Sequence, residues 1–267
     1  MLPWQGYMKP FQIFGNLYFV GTKPASTHIV DTGDGLIMFD SGYQHSLYLV
    51  LHNMHLLGLD PLNIKYIIHT HGHIDHFGAT RALVELTSAK TFIGKPDKEY
   101  ATGEVDLSFA KELGMEFNET FTPDVLLSDG DIITLGNTKI TAVATPGHTP
   151  GATSYLFNVT DGKKTYVAGL IGGRGINTMY PEFLDKYGLP YSCRTDFLAS
   201  MDKLKTYAVD ILLANHVGHT NTIERYERLC AGDALAFVDP AAWAEHLEWS
   251  KTVLLDMLEK EKNGAPT

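Results

Sequence analysis

The sequence predicts an α/β fold of four layers, in which two β-sheets pack face to face between outer layers of helices. Three observations lead there. Paired apolar runs around tight turns recur in both halves of the chain, each group of strands is followed by helical periodicity, and 267 residues at 44% hydrophobic content can bury a full core. No Ser/Gly/Pro linker separates the halves, so residues 1–267 read as a single domain.

In FQIFGNLYFVGT apolar residues flank Gly15-Asn16, and THIVDTGDGLIMFDSG repeats the pattern around Thr-Gly-Asp-Gly, which reads as two hairpins. HSLYLVLHNMHLLGL then sets Leu47, Val50, Leu51, Met54 and Leu57 at helical spacing with Gly58 as the stop. NIKYIIHT is a short β-rich run leading into the histidines, a helix begins near Phe77, and TRALVELTSA reads as helix. DIITLGNTKITAVATPGHTPG and ATSYLFNVTDGKKTYVAGL are strand pairs around Gly-Asn and Asp-Gly turns, followed by the helix DFLASMDKLKTY and the apolar strand in VDILLANH. The last helix, around WAEHLEWSKTVLLDMLEKEK, offers Trp243, Leu247, Val253, Leu254 and Leu258 as a cover for the core rather than a dimer seam.

Composition excludes several classes. The net charge of −10 and the lack of any basic stripe argue against a nucleic-acid partner. No window has the roughly 18 consecutive apolar residues of a membrane span, and the N-terminal stretch lacks the basic region and apolar core of a targeting segment. Cys193 and Cys230 form no framework and read as free thiols, which suits a reducing, cytoplasmic setting. A small-molecule substrate is the expected partner; the sequence is silent on oligomeric state.

The stretch Ile67 to Ala79, IIHTHGHIDHFGA, holds four of the twelve histidines. Zinc takes imidazole nitrogen and carboxylate oxygen, and a catalytic site leaves one position open. His71 and His73 are two apart, so in an extended segment both side chains point the same way and can share one ion. Asp75 and His76 fall where the chain turns and can aim at a second ion. His69 sits on the preceding strand as a core or supporting residue. His148, in a Pro-Gly loop, and His216, just behind a buried strand, are loop-tip histidines that a sheet edge would bring to the same place; His216 is preferred to His219 because it follows the apolar run directly. His28, His45, His52, His55 and His246 read as ordinary solvated or hydrogen-bonded side chains.

The motifs T-H-G-H-I-D-H, T-P-G-H-T-P-G and A-N-H resemble those of the metallo-β-lactamase superfamily, most closely the third subclass of the class B β-lactamases, and the similarity runs from PFQIFGNLYFVGT to FVDPAAW. The resemblance implies the αββα sandwich and two zinc ions at one edge of the sheets. It assigns His71, His73 and His148 to the first ion and Asp75, His76 and His216 to the second. It also implies a hydrolase that opens a cyclic amide such as a β-lactam, with a hydroxide oriented by Asp75.

Three departures from that pattern are visible. Other hydrolases of the superfamily have a metal-bridging aspartate where TYVAGLIGG offers Gly169 and Leu170. The β-lactamase-like subclass lacks the bridge but has serine at Leu170, near the substrate carboxylate. Secreted relatives carry a disulfide between positions near Val209 and Trp243, neither of which is cysteine here. Hydrolysis of lactones, thioesters or other esters is the alternative activity, and a non-hydrolytic metal-binding protein is a third. Asp40, at the strand end LIMFDSG, is a candidate acceptor for a ligand imidazole, and Arg174, in GGRG, is a candidate contact for a substrate carboxylate. Tyr180, Tyr187 and Tyr191 fall in a connection that could roof the site.

Overall fold

The computed structural model describes residues 2–213 and 215–264. Seven strands, β1 (Phe11–Phe14), β2 (Leu17–Phe19), β3 (His28–Asp31), β4 (Leu36–Phe39), β5 (Ile64–Ile68), β6 (Lys90–Gly94) and β7 (Val125–Leu127), form a sheet in simple chain order. Helices α1 (Leu47–Leu56), α2 (Ile74–Phe77), α3 (Thr80–Thr87) and α4 (Lys98–Thr102) belong to this half. The first four strands pair antiparallel through the expected hairpins, and from β4 onward the pairing is parallel, with helical crossovers between strands. The second sheet has the order β12-β11-β10-β9-β8, built from β8 (Ile132–Leu135), β9 (Thr138–Ala144), β10 (Thr153–Thr160), β11 (Thr165–Leu170) and β12 (Ile211–Leu213). Its helices are α5 (Pro181–Tyr187), α6 (Ser192–Leu204), α7 (Thr222–Cys230) and α8 (Pro240–Lys262).

Alternation along the strands produces the layers. Ile37 and Phe39 of β4 point into a core shared with Tyr155, Phe157 and Val159 of β10, while Leu36 and Met38 point outward onto Val50, Met54 and Leu83. On the other sheet Leu156 faces outward with Phe197, Met201, Trp243 and Leu247. Both faces of each sheet are therefore covered, which is why a central strand such as LIMF reads as a continuous apolar run. The stacked Phe39 and Phe157 rings, 5.0 Å apart, mark the seam between the two sheets.

The structure corrects several local expectations. The helix after the histidine run begins at Ile74, three residues before Phe77, so Asp75 and His76 sit on a short helix of their own. In α1 the buried positions are Leu49, Val50, Asn53 and Met54, while Leu47, Leu51 and Leu57 are only partly buried. Helix α8 covers the outer core as expected through Trp243, Leu247 and Leu254, but Met257 replaces Val253 in that role. Cys193 and Cys230 are both free. Among the described residues no helix is long and apolar enough to cross a membrane.

Asn53 is the polar exception on α1. Its Nδ2 faces the backbone carbonyls of Met8, Val20 and Gly21 at 3.2, 2.9 and 3.1 Å, joining the N-terminal segment to the helix layer. Asn53→Ala leaves these buried acceptors short of a donor and is expected to lower unfolding free energy by about 1–3 kcal/mol, read from urea denaturation against wild type.

Candidate metal centre

All six candidate ligands lie at one edge of the paired sheets. His71 and His73 leave β5 in an extended loop, Asp75 and His76 follow on α2, His148 comes from the β9–β10 connection, and His216 from the loop after β12. His71, His73 and His148 offer nitrogens within 4.8 Å of one another, and His71, Asp75 and His76 form a second such group. His216 joins the second group through Nε2, 3.4 Å from Asp75 Oδ2. His219, the competing histidine, meets His216 edge to face with ring centroids 4.7 Å apart, and it is His216 that reaches Asp75.

Hydrogen bonds on the outer side of each ring decide which nitrogen faces inward. His76 Nδ1–H donates to Asp40 Oδ2 at 2.8 Å, His148 Nδ1–H to Gly175 O at 2.7 Å, and His216 Nδ1–H to Pro24 O at 2.5 Å. Each therefore presents a bare Nε2 to the centre. For His71 the argument takes two steps. The Thr70 hydroxyl donates to Asp40 Oδ2 at 2.8 Å, since a carboxylate can only accept, so it must accept from His71 Nδ1–H at 3.0 Å. His71 Nε2 is then bare, buried and without a protein partner.

A divalent ion fits this arrangement. In a tetrahedral site with bonds of about 2.0–2.1 Å, adjacent donor atoms stand roughly 3.3 Å apart. His73 Nδ1 and His148 Nε2 are 3.0 Å apart, and Asp75 Oδ2 is 3.0 Å from His76 Nε2 and 3.4 Å from His216 Nε2. The first of the Asp75 contacts is close but poorly aligned for a hydrogen bond, and His76 Nε2 counts among the buried atoms with no hydrogen-bond partner.

Electrostatics agree. Burial, reinforced by the neighbouring imidazoles, holds His71 and His73 well below the ordinary histidine value, and burial lowers His148 to about 4. These rings are neutral at pH 7, the form that binds metal. Burial alone would lower His76 and raise Asp75. The Asp75 and Asp40 carboxylates reverse the first, lifting His76 to about 10, while the facing imidazoles of His76, His216 and His73 reverse the second and hold Asp75 well below its usual range. The two carboxylates thus make positive charge favourable at His76, which a cation bound at its Nε2 would supply.

Asp97 is a support that the sequence hides, because KPDKEY reads as a solvated charge run. The side chain is fully buried. Its Oδ2 accepts from Gly72 N–H at 2.8 Å and the Thr149 hydroxyl at 2.6 Å, and its Oδ1 accepts from Gly151 N–H at 2.6 Å. One carboxylate thereby binds the His71–His73 loop to the His148 loop. Burial pushes it up to about 6 even against these three donors.

All the candidate ligands but the buried His76 border a cavity of about 250 Å³ whose remaining wall includes Tyr43, Phe109, Leu113, Arg174 and Asn177. Arg174, the candidate carboxylate contact, borders the cavity with its guanidinium 3.8 Å above the Trp249 ring. Burial lowers it to about 10, so it remains charged at neutral pH. Leu170 does not border the cavity; it is 1% exposed in the core between the sheets. The roofing expected of three tyrosines also fails. Tyr180 packs against the outer core, Tyr187 bonds to Glu112, and the Tyr191 hydroxyl donates to Asp185 at 2.9 Å. Phe109 and Leu113 take that place from an irregular stretch with no periodicity to reveal it. The glycines of LIGGRG have a steric cause: a Cβ on Gly173, at φ +80°, would stand 2.6 Å from His148 Cδ2.

His69 is structural, with Nδ1 on Phe92 O at 2.8 Å and Nε2 on Thr80 Oγ1 at 2.7 Å. His45, His52 and His55 are exposed, as expected. His28 and His246 are instead buried, and the Nε2 of His246 has no partner, contrary to the ordinary reading.

The model of the Metallo-beta-lactamase superfamily matches residues 20–161, and the chain belongs to that superfamily of metal-dependent hydrolases. Among solved structures, BJP-1, a subclass B3 metallo-β-lactamase of Bradyrhizobium japonicum, superposes with a TM-score of 0.84 at 26% identity, covering 98% of both chains. Among curated sequences, an uncharacterized protein of Aquifex aeolicus is 39% identical over 85 residues, which is 32% of this chain and 39% of that protein. The N-acyl homoserine lactonase AttM of Agrobacterium fabrum is 23% identical over 210 residues, 72% of this chain and 76% of the lactonase.

Asp40→Asn exchanges the acceptor that orients His76 and, through Thr70, His71. A loss of metal affinity of roughly 10–100-fold is expected, measured by competition with a chromogenic chelator; Asp161→Asn, in an exposed turn, should leave the affinity unchanged.

Proposed function

We propose that this protein is a dinuclear zinc hydrolase that opens a cyclic amide such as a β-lactam. The observation that supports it most is the convergence of His71 Nε2, His73 Nδ1, His148 Nε2, Asp75 Oδ2 and His216 Nε2 on one cavity, with His76 Nε2 buried just behind them, in a chain that superposes on a subclass B3 enzyme over 98% of its length. His71, His73 and His148 would hold one ion and Asp75, His76 and His216 the other. Bound there, two divalent ions supply Lewis-acid polarisation of a carbonyl and an acidified water.

The chain's own groups do the rest. Asp75, whose side chain is 12% exposed at the cavity, stays ionised and can accept a hydrogen bond from the attacking water, holding its lone pair toward the carbonyl. Tyr43 remains a phenol, its ionisation raised by burial and then by Asp75, and can donate to a substrate oxygen. Phe109 and Leu113 form the apolar wall that takes the hydrocarbon part of a substrate and keeps bulk water out. Arg174, pre-oriented on Trp249, provides a fixed positive charge for a carboxylate in an otherwise acidic protein.

Absence of a bridging carboxylate supports the amide reading, since Leu170 is a buried hydrocarbon and Gly169 packs against Trp243 and Val209. The likeness to AttM supports the alternative, hydrolysis of a lactone, by the same six residues.

Zinc-loaded protein is expected to hydrolyse a chromogenic cephalosporin. Chelator should abolish the reaction and Asp75→Asn should reduce kcat/KM by about 100-fold or more, the scale of losing a positioned acid–base group. An acyl homoserine lactone and a thioester assayed in parallel decide the substrate class: turnover of either without cephalosporin hydrolysis would replace the amide reading with an ester reading. Arg174→Ala should raise KM for a carboxylate-bearing substrate about tenfold with kcat little changed.

A further inference from the structure

Behind His219 lies a second cavity, of about 450 Å³, between the first turn of α7 and the N-terminal half of α8. Arg225, His246 and His219 border it, with Asn221, Glu245 and Trp249. Arg225 and His246 are each 8% exposed. Each carries a buried nitrogen with no hydrogen-bond partner in the protein, Nη1 of Arg225 and Nε2 of His246, and His219 Nδ1 is in the same condition. Polar groups are seldom left buried and unpaired, because they forfeit their hydration without replacement; Arg225 Nη1 is a donor, and a neutral imidazole can place its one N–H on the nitrogen that meets an anion.

The buried part of the cavity wall favours an anion, because its charged group is Arg225 and the two carboxylates beside it are exposed. Asp239 engages only Nη2 of Arg225, at 3.3 Å, and its side chain is 48% exposed. Glu245 is exposed as well, so water and salt screen both carboxylates on the rim, while Arg225 is buried at the wall beside His246, a ring that burial keeps neutral at pH 7. Helix α7 runs for nine residues from Thr222, and Asn221 ahead of it makes no side-chain capping bond. Its first N–H groups and the positive end of its dipole therefore add to the same donor set.

We propose that this cavity binds a compact oxyanion, the phosphate or carboxylate group of a small ligand, through Arg225, His246 and the uncapped start of α7. His219 borders both this cavity and the metal cavity and packs edge to face against His216. An anion held on His219 Nδ1 fixes a ring that packs on a candidate metal ligand, so the site is placed to report on the metal centre. The anion site itself stands whether or not the chain hydrolyses β-lactams.

Isothermal titration calorimetry of the metal-loaded protein with inorganic phosphate and, separately, with acetate tests this. A single saturable site is expected for at least one anion, weakened about tenfold or more in Arg225→Gln and in His246→Phe. The anion that binds tells a phosphate ligand from a carboxylate one. An anion seated on the metal ions would titrate equally in wild type and both variants, and that outcome overturns the proposal, as does the absence of saturable binding with either probe. Wild-type crystals soaked in phosphate give a readout that does not depend on the variants folding: density bonded to Arg225 and His246 supports the site, and density confined to the metal cavity rejects it.

Discussion

Asp40 is the group on which the metal centre depends. It sits at the end of β4 with φ 54°, a left-handed backbone that few non-glycine residues adopt. From there its carboxylate accepts the Thr70 N–H at 2.8 Å, the Thr70 hydroxyl at 2.8 Å and His76 Nδ1–H at 2.8 Å. Asn215 reaches the same Thr70 hydroxyl at 2.9 Å, which brings in the loop after β12 that carries His216. One buried acceptor thus orders three segments and sets, directly or through Thr70, the tautomers of His76 and His71. Strain at Asp40 is tolerable because each of its neighbours is itself fixed by a strand end or by another hydrogen bond.

Asp97 plays the complementary part between loops. Where Asp40 sits behind the rings, Asp97 holds the backbone on either side of them, through Gly72 and Gly151. Both carboxylates are buried at the cost of their hydration, and both recover it through three or more donors from the same small set of loops.

Much of the fold was legible because the strands declare themselves through turn chemistry: Gly15-Asn16, Gly136-Asn137 and Asp161-Gly162 each lie in a hairpin the structure contains. Strands β6 and β7 were missed. KTFIG and VLL are short apolar runs without flanking hairpin turns, and β7 follows a long irregular stretch. At the site, the ligand set could be read as candidates because H-x-H-x-D-H is dense and local. The supporting residues could not. Asp97, Tyr43 and Phe109 reach the centre through tertiary contacts between distant segments, and nothing in their own neighbourhood marks them. Leu170 illustrates the opposite error: its sequence position beside the expected substrate contact says nothing about which face of β11 it occupies, and pleating turns it into the core.

Each sheet is assembled from one continuous stretch of chain, residues 11–127 for the first and 132–213 for the second. The chain can therefore build either half from contacts of modest sequence separation before the halves meet. The candidate centre cannot form so early, because His71, His73, Asp75 and His76 belong to one half while His148 and His216 belong to the other. A bound cation would act as a rivet across the seam, adding stability only to molecules in which docking is complete. Order of assembly would then guard the chemistry, since a chain with either half unfolded offers no closed cavity and no complete set of ligands.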